Sequence, residues 1–430
     1  MSKLYDTTRR DFLKATTAVV AGATLASEWT GAHAAGGDTL RVGLIGCGRR
    51  GTGAAAQALK ADKAVKLFAL ADVFKDHLDS SLAELKKDAA LVPKIDVAPE
   101  RAFVGFDAYK QVIDCCDVVL LCTPPHFRPL HLKAAVDAGK HVFAEKPVAV
   151  DAPGVRSVLA TCKEGQKKGL SIVSGLCLRY DSGFRETVKR ILGGALGDVF
   201  TLQANDYRGA IWVEPRHKDW SDMEWQMRNW YYFTWLCGDF NVEQHVHFLD
   251  VCTWAMKDEY PVRAMGMGGR QARTGPEFGH IYDHFSVTYE YENGAKLFSN
   301  CRQQKGCKND MSAHVMGTKG RAELSERKRG LVIKTAAGDW HYDGPENDLY
   351  QTEHDELFAS IRAGKPINNG EYMAKSTLLA IMGRMACYTG QAITWDMAMN
   401  SKEDLSPPRY AWDVPLTVPP VAVPGVTRFE

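Results

Sequence analysis

Three glycines, Gly46, Gly48 and Gly51, stand between an apolar run, 40–45, and an alanine-rich, helix-prone segment. A strand, a tight turn and a helix start in that order present unpaired backbone N–H groups and a partial positive charge. Such a site suits a pyrophosphate, because the glycines allow the turn, the close approach of phosphate and the packing of helix on strand. The spacing therefore predicts a dinucleotide-binding loop, here called the glycine loop (46–51).

An acidic residue, Asp72, ends a second apolar run, 65–71, about 20 residues beyond the glycine loop. A carboxylate there accepts hydrogen bonds from the ribose hydroxyls of an adenosine and repels a 2′-phosphate, so NAD is favoured over NADP. Lys75 would soften that repulsion and keeps NADP open. The structural alternative is that Asp72 only caps the helix that begins near Phe74.

A lysine follows another apolar run in the tripeptide Glu145-Lys146-Pro147. At a strand end beside a nucleotide site, a lysine donates a hydrogen bond to a substrate hydroxyl, and it shuttles the proton if burial lowers its pKa. The alternative is an ordinary solvated lysine on the surface. We take Lys146 as a candidate catalytic residue and Glu145 as a neighbour of the cofactor.

A carboxylate and two imidazoles stand close together at Glu243, His245 and His247. Apolar residues at helical spacing predict one helix over 242–256, which puts Glu243 and His247 on one face and turns His245 elsewhere. An imidazole oriented by a carboxylate is a general base, and a purely structural pair is the alternative. Three ligands at alternate positions suit a strand rather than a helix, so we expect no metal.

Aromatic and cationic residues crowd the segment 207–235. Flat aromatic faces stack on sugar rings and arginine forks hold hydroxyls or carboxylates, which makes Arg208 and Trp212 candidate substrate contacts. A subunit interface is the equal alternative, because the same residue types are enriched there. The further residues assigned to the substrate site are Arg179, Tyr180 and Tyr282.

The elements that must position these groups alternate between buried strands and helices over the first part of the chain. The alternation predicts a parallel sheet with helices on both faces, and ligands bind at the carboxyl ends of such strands. Because a strand over 118–122 leads into Thr123, the residues after it join this site. The residues assigned to the cofactor are Gly46, Gly48, Arg49, Arg50, Gly51, Asp72, Thr123, Pro124, His126, Glu145 and Lys146.

From Gly197 onward the pattern changes to alternating apolar and polar residues, with Asn293-Gly294 as a hairpin turn. It predicts a mainly antiparallel sheet flanked by helices, and the fold class is therefore α/β. The tail after Ser406 is rich in proline and valine, and we expect it to run extended over another domain or subunit. The predicted divisions are a signal peptide, a cofactor-binding domain, a substrate and oligomerisation domain, and a Pro-rich tail, over 1–34, 35–165, 166–400 and 401–430.

The N-terminus has the features of an export signal. Arg9 and Arg10 precede a weakly hydrophobic segment, 15–27, and Ala32-His33-Ala34 offers a cleavage site. The segment is too short and too rich in alanine for a stable membrane span. We therefore expect export to the periplasm by the twin-arginine route, and a surface helix with two chance arginines is the alternative.

The composition excludes some classes of function. The 430-residue chain has 53 basic and 52 acidic residues and a net charge of +1, which gives no electrostatic case for a nucleic acid or a membrane surface. We expect a small substrate instead. The 11 cysteines lie mostly in apolar runs and are interpreted as buried thiols, with Cys301 and Cys307 as the pair to check for a disulfide.

These motifs together resemble the glucose–fructose oxidoreductase, inositol dehydrogenase and rhizopine-catabolism (Gfo/Idh/MocA) family over about residues 39–391. The resemblance implies an N-terminal Rossmann domain, a C-terminal α/β domain with an open, mainly antiparallel sheet, and homodimers or homotetramers formed through that sheet. Lys146 matches the family's catalytic lysine, and His247 matches its catalytic histidine. The residues that carry the resemblance are Gly46, Gly48, Gly51, Asp72, Thr123, Pro124, Glu145, Lys146, Pro147, Glu243 and His247.

One motif departs from the family's usual pattern. The family usually has Asp-x-Gly-x-His where this chain has Glu243-Gln244-His245-Val246-His247, so the carboxylate is longer and a histidine replaces glycine. Family members that act as NAD-dependent glycosidases, with no net redox change, often lack the lysine of Glu-Lys-Pro. Because Lys146 is present, the resemblance favours net redox chemistry and leaves the glycosidase as the alternative.

The expected function is that of an exported NAD(P)-dependent oxidoreductase acting on a ring hydroxyl of a sugar, polyol or glycoside. His247, oriented by Glu243, would take the hydroxyl proton while Lys146 polarises the same oxygen. We expect tightly bound NAD, since an exported enzyme has no free NAD pool to draw on. A third hypothesis is an exported sugar-binding protein without catalytic activity.

Overall fold

The first part of the chain forms the predicted parallel sheet. The computed structural model describes residues 39–326 and 330–430, so the predicted signal peptide lies outside the described residues. The strands of this sheet are β1 (Leu40–Ile45), β2 (Val65–Asp72), β3 (Ala102–Val104), β4 (Val118–Leu121), β5 (His141–Ala144) and β6 (Ile172–Ser174). They lie in the order β3-β2-β1-β4-β5-β6 with parallel neighbours. A ligand crevice opens between β1 and β4, where the strand order reverses.

Both faces of this sheet are buried, which explains why its strands are mostly apolar, with Arg41 of β1 and Lys66 of β2 as exposed exceptions. Val119 and Leu121 of β4 enter one buried apolar cluster, whereas Val118 and Leu120 enter another. The helices of this part are α1 (Arg49–Ala61), α2 (Lys75–Leu85), α3 (Ala108–Cys115), α4 (Arg128–Asp137) and α5 (Ala152–Lys167). The chain leaves α4 through Gly139 with a φ of +71°, a left-handed conformation that glycine adopts readily at a helix end.

The second part of the chain forms a nine-stranded sheet. Its strands are β7 (Val199–Arg208), β8 (Arg263–Gly269), β9 (His284–Glu290), β10 (Lys296–Gln303), β11 (Asp310–Gly317), β12 (Gly320–Ser325), β13 (Leu331–Thr335), β14 (Gly338–His341) and β15 (Ile393–Thr394). Their order is β14-β13-β12-β11-β7-β10-β9-β8-β15. The β7 and β10 pair is parallel and the other described pairs are antiparallel, which confirms the predicted α/β fold class. Gly294, with a φ of +84°, turns the predicted hairpin between β9 and β10.

The helices of the second part of the chain pack on both sheets. Several cover one face of the nine-stranded sheet, whereas the helix Leu349–Arg362 packs on α1 and on β5 and β6 of the parallel sheet. The helices of this part are α6 (Ser182–Leu192), α7 (Asp222–Arg228), α8 (Thr234–Cys237), α9 (Phe240–Glu243), α10 (Val246–Ala255), α11 (Leu349–Arg362), α12 (Gly370–Thr389) and α13 (Trp395–Asn400). Short 3₁₀ turns occupy Val92–Lys94, Pro99–Arg101, Pro125–Phe127, Cys177–Tyr180, Trp230–Tyr232 and Pro276–Phe278. Helix α12 packs on β8 and α10 packs on β11. The opposite face of the sheet exposes the apolar side chains of Met265, Met267 and Phe298.

The single helix predicted over 242–256 is wrong. Helix α9 ends at Glu243, and α10 begins at Val246. His245 stands at the break with its side chain fully buried, and its Nε2 lies 2.8 Å from Ser299 Oγ of β10. Apolar spacing along the segment carries no signal of this contact with a residue distant in the chain, so it did not reveal the break.

The C-terminal tail has no helix or strand over residues 401–430, all of which the structure describes. Its Trp412 ring lies 4.8 Å from the Phe106 ring, centroid to centroid, on the cofactor-binding side. Further along, the backbone oxygen of Ala422 accepts a hydrogen bond of 2.8 Å from the Tyr282 hydroxyl. The tail therefore contacts residues near the parallel sheet and residues near the nine-stranded sheet of the same chain.

The cysteines are all free thiols. Cys301 is buried and Cys307 is exposed, so the candidate disulfide between them is not formed. Within the ranges that the structure describes, every helix is too short or too polar to span a bilayer.

Candidate active site

A cavity of about 1320 Å³ lies at the carboxyl ends of β1, β2, β4 and β5. It brings together most of the site residues predicted from the sequence. Those that line it are Gly46, Gly48, Arg49, Arg50, Gly51, Asp72, Thr123, Pro124, Glu145, Lys146, Trp212, Glu243 and His247. Residues about 200 positions apart in the chain thus share one cavity.

The glycine loop has the geometry that a bound pyrophosphate needs. At Gly46, whose φ is +97°, a Cβ would lie 2.5 Å from the backbone nitrogen of Thr123, and at Gly51 it would lie 1.9 Å from the Gly46 oxygen. At Gly48 a Cβ would meet nothing within 4 Å. Gly48 is also the N-cap of α1, and no side chain caps the helix there. The loop thus leaves room and backbone donors for a phosphate, so the residues present fit a dinucleotide.

Asp72 is held by the backbone on both of its oxygens. Its Oδ2 accepts from the Cys47 N–H at 2.7 Å, and its Oδ1 accepts from the Phe74 N–H at 2.8 Å. Asp72 thus closes a local turn with Phe74 and is not the N-cap of α2, which is Phe74 without a side-chain cap. A carboxylate has further acceptor capacity, so a ribose contact remains compatible with these bonds. Asp72 also raises the pKa of His77 through a side-chain hydrogen bond.

Lys146 is not a solvated surface lysine. Its Nζ donates to the backbone oxygen of Glu243 at 2.6 Å and to Glu243 Oε1 at 3.0 Å. The side chains of Lys146 and Glu243 are 13% and 11% exposed. Because the two residues come from different domains, this ion pair ties the end of β5 to the end of α9 at the cavity wall.

His247 lies in the first turn of α10 and lines the same cavity. Burial, and then the positive charges of Lys146 and Arg208, hold its pKa well below the usual value for histidine. The imidazole is therefore neutral at pH 7 and able to accept a proton. Its Nδ1 is buried without a hydrogen-bond partner.

The expected hydrogen bond between Glu243 and His247 is not formed in the described structure. Glu243 pairs with Lys146 instead. The cause is the break between α9 and α10, which removes the helical i, i+4 geometry on which that expectation depended. His245 is also separate from them, because it faces β10 and burial lowers its pKa to about 3.

Several residues assigned from the sequence do not line the cavity. The Arg179 guanidinium is buried and bridges Asp250 and Asp258, and Arg208 pairs with Asp206. The others bond elsewhere: His126 to Tyr410, Tyr180 to Asn369 and Tyr282 to Ala422. Their residue types suit ligand binding, but each of these side chains is bonded within the protein. The partners of most of them are distant in the chain, so the sequence did not reveal them. Burial also lowers the pKa of His126 to about 4.

Arg128 is a functional residue that the sequence analysis missed. Its fully buried guanidinium donates to the backbone oxygens of Thr123, Pro147 and Lys146, the last two at 2.8 and 3.3 Å. It thereby ties together two segments that line the cavity. Burial lowers its pKa to about 10. Its position directly after the turn 123–127 is the signal that could have revealed it.

Two family models cover most of the described chain. Residues 40–172 match the oxidoreductase family, NAD-binding Rossmann fold, and residues 188–374 match the oxidoreductase family, C-terminal alpha/beta domain. The chain belongs to the Gfo/Idh/MocA family. This confirms the predicted Rossmann domain with its C-terminal α/β partner and the prediction of an NAD-dependent oxidoreductase. Residues 6–26 match the twin-arginine translocation signal, which confirms the export signal, and they lie outside the described residues.

Known relatives of this family member include dehydrogenases of cyclic polyols. Inositol 2-dehydrogenase of Rhizobium meliloti (strain 1021) is 23% identical over 322 residues, 75% of this chain and 86% of that protein. Its counterpart in Cereibacter sphaeroides (strain ATCC 17029 / ATH 2.4.9) is 27% identical over 307 residues, 70% and 77% of the two chains. The structure of aldose-aldose oxidoreductase from Caulobacter crescentus, complexed with glycerol, superposes with a TM-score of 0.65 at 20% identity, covering 83% and 99%. That likeness shows the shared fold.

Proposed function

We propose that this family member oxidises a ring hydroxyl of a sugar, polyol or glycoside with NAD. The observation that carries the proposal is the meeting of Lys146, Glu243 and His247 in one cavity with the glycine loop. Relatives named inositol 2-dehydrogenase support a cyclic polyol or sugar as the substrate class. Trp212 lines the same cavity with its side chain 46% exposed, and it offers a flat face for a sugar ring.

Lys146 is the residue that binds and polarises the substrate oxygen. An ammonium group has three N–H donors, and Glu243 accepts two of them. The third is left for the substrate hydroxyl, whose proton becomes more acidic beside the positive charge. Glu243 therefore orients Lys146 rather than His247, which revises the role expected for this carboxylate.

His247 is the base that takes the hydroxyl proton. Its neutral imidazole satisfies the first requirement for that role, and its place in the lining of the same cavity as the glycine loop satisfies the second. Bound NAD supplies the hydride acceptor. A hydroxyl thus loses its proton to His247 and the attached carbon loses a hydride, which leaves a carbonyl.

The cofactor is held by backbone at its centre and by side chains at its ends. Gly46, Gly48 and Gly51 shape the pyrophosphate site, and Asp72 accepts from the adenosine ribose. Thr123, Pro124 and Glu145 line the cavity on the way to Lys146, where the nicotinamide would lie. Arg50 lines the cavity too, but its guanidinium is bound by Glu145 and Glu353 and is not assigned to phosphate.

Tight retention of NAD is part of the proposal. Arg228 of α7 donates to both carboxylate oxygens of Asp76 in α2, at 3.0 and 3.3 Å, and so bridges the two domains beside the cavity. The Arg228 guanidinium also lies 3.9 Å from the centroid of the Phe74 ring. The tail adds Trp412, 5.5 Å from the same ring. These contacts close the adenosine side, as suits an exported enzyme that reuses its cofactor.

We also propose that the protein is located in the periplasm and forms a homodimer or homotetramer. The twin-arginine match supports export, and the apolar side chains of Met265, Met267 and Phe298 on the open face of the nine-stranded sheet support self-association. Light scattering on Met267→Glu, with Met397→Glu as the exposed control, tests the interface. We expect a smaller species from Met267→Glu alone, and an unchanged mass would remove this face from the proposal.

An anaerobic incubation of the NAD-loaded protein with a panel of polyols, sugars and glycosides tests the function. We expect NADH absorbance with at least one member and none from the Lys146→Ala variant. Cleavage of an aryl glycoside without net NADH would support the glycosidase alternative. Sugar binding that is unchanged in a Lys146→Ala, His247→Ala double variant, with no turnover in the wild type, would support a binding protein.

A further inference from the structure

A cluster of charged side chains forms around Arg50 of the glycine loop, with the carboxylates of Glu145 and Glu353 buried against it. The guanidinium of Arg50 in α1 donates to Glu145 Oε1, to Glu353 Oε1 at 3.0 Å and to Gln57 Oε1 at 2.8 Å. Glu145 follows β5, whereas Glu353 comes from α11, 303 positions from Arg50 in the chain. The Arg50 side chain thus connects three parts of the fold, namely α1, the end of β5 and α11.

Glu353 is a costly side chain for the fold to bury. Its side chain is fully buried, and its Oε2 has no hydrogen-bond partner. Burial, and then the negative charge of Glu145, raise its pKa well above the usual value for glutamate. The Arg50 side chain is 32% exposed and already has Glu145 and Gln57 as acceptors, so the loss of Glu353 would not leave an unpaired buried charge. The fold therefore keeps a costly group that needs another explanation.

A hydrogen bond connects the cluster to the main chain of Lys146. Glu145 Oε2 accepts from the backbone N–H of Lys146 at 3.2 Å, while Arg50 holds the other oxygen of the same carboxylate. Glu353 fixes the second side of the guanidinium fork, so Arg50 has one orientation. A shift of Arg50 would move Glu145, and with it the start of the lysine side chain.

We propose that Glu353 is a positioning residue that sets Lys146 for the reaction through Arg50 and Glu145. The proposal rests on the role of Lys146 in the proposed function. It gives α11, which follows the nine-stranded sheet in the chain, a part in the chemistry at the end of β5. A displacement of about 1 Å in a positioned catalytic group is enough to slow a reaction by up to about 100-fold.

The test compares two substitutions of Glu353 in the full-length, NAD-loaded protein. Glu353→Met removes the acceptor but keeps the volume, and Arg50 keeps Glu145 and Gln57, so the variant should fold. We expect Glu353→Met to lower kcat by about tenfold with KM and the Kd for NAD within about twofold. Glu353→Gln, whose amide oxygen still accepts from Arg50, should restore most of kcat.

The control is Glu356→Gln on the same helix. Glu356 is 36% exposed and pairs with Arg185 away from the cluster, so its kcat should equal that of the wild type. A wild-type kcat in Glu353→Met would overturn the proposal. Equal losses in Glu353→Met and Glu353→Gln would also overturn it, because the acceptor oxygen that holds Arg50 would then not be what sets kcat.

A double variant separates this proposal from the proposed function. If Glu353 acts through Lys146, Glu353→Met should cost nothing further in a Lys146→Ala background, measured on the residual activity. A full additional loss there would show that Glu353 acts elsewhere and would end the positioning role. Wild-type activity in Lys146→Ala alone would instead refute the role of Lys146 in the proposed function.

Discussion

The cofactor side and the substrate side of the cavity are built differently. On the cofactor side, the site is made by backbone groups, because the glycine loop supplies space at Gly48 and N–H donors at the start of α1. On the substrate side, the site is made by side chains, because Lys146, Glu243 and His247 come from separate parts of the chain and an ion pair across domains joins Lys146 to Glu243. Backbone sites are encoded locally, whereas side-chain sites depend on contacts between distant segments.

This difference predicts two classes of variant. Changes on the substrate side should lower kcat and leave the affinity for NAD intact. Changes on the cofactor side should weaken NAD binding and leave kcat at saturating NAD intact. The following experiments test that division, from the largest expected effect to the smallest.

Lys146→Ala should lower kcat by about 1000-fold, because it removes both the hydrogen bond to the substrate oxygen and the nearby positive charge. Steady-state assays with the best substrate give kcat, and calorimetric titration of cofactor-free protein gives the Kd for NAD, which should change by less than about threefold. Lys133→Ala is the matched control, since Lys133 is 60% exposed and pairs only locally with Asp137. Loss of NAD binding in Lys146→Ala would contradict the division between the two sides.

His247→Asn should lower kcat by about 100-fold, because the base is removed from the cavity wall. In the wild type, the depressed pKa of His247 means that its imidazole stays neutral as the pH falls through the usual histidine value of about 6.5. The acid limb of kcat/KM should therefore lie well below that pH. A limb close to pH 6.5 would mean that His247 is not the base, or that it is not buried in the working enzyme.

Gly48→Ala and Gly51→Ala should separate cofactor affinity from stability. Space for a methyl group exists at Gly48, so Gly48→Ala should fold normally and weaken NAD binding by about tenfold through a clash with phosphate. At Gly51 the added Cβ would lie 1.9 Å from the Gly46 oxygen, so we expect a loss of stability of about 1–3 kcal/mol. Thermal melts without cofactor and titrations with NAD measure the two effects. Equal melting temperatures for both variants would contradict the packing role of Gly51.

Arg228→Ala should speed NAD release, because it removes the bond between Arg228 and Asp76 that joins the two domains beside the cavity. The change should be only about threefold to fivefold, since an exposed ion pair contributes little free energy, and kcat at saturating NAD should not change. Asp76 is 60% exposed, which keeps the expected effect small, and high salt should reduce it. Stopped-flow chase of bound NADH measures the release rate. Arg216→Ala is the control, since Arg216 pairs with Asp222 within its own segment. An unchanged release rate in Arg228→Ala would remove this contact from cofactor retention.

Most of the fold follows from local patterns. The strands β1, β2, β4 and β5 of the parallel sheet and the hairpin at Gly294 are where periodicity and glycine placement predicted them, whereas the short strands β3 and β6 were not predicted. The break before α10 was not predicted, and apolar spacing carries no signal of the contact that His245 makes there with Ser299, 54 positions away. Apolar spacing reports which residues are buried and does not report which polar partner a buried residue meets.

The candidate site divides in the same way. The residues of the glycine loop reach the cavity as predicted from their spacing, since their work depends on backbone geometry near them in the chain. Arg179, Tyr180 and Tyr282 do not reach it, because each is buried against a partner that no local pattern reveals. The partnership of Glu243 with Lys146 was likewise not foreseen.

The amino-acid sequence by itself determined the family, the cofactor class and the export signal, because each depends on short motifs whose spacing carries the chemistry. Tertiary structure alone decided that Glu243 binds Lys146, that His247 is buried and neutral, and that Arg50 is bound by two carboxylates. The physical reason is that charge state and orientation depend on burial and on partners contributed by distant segments.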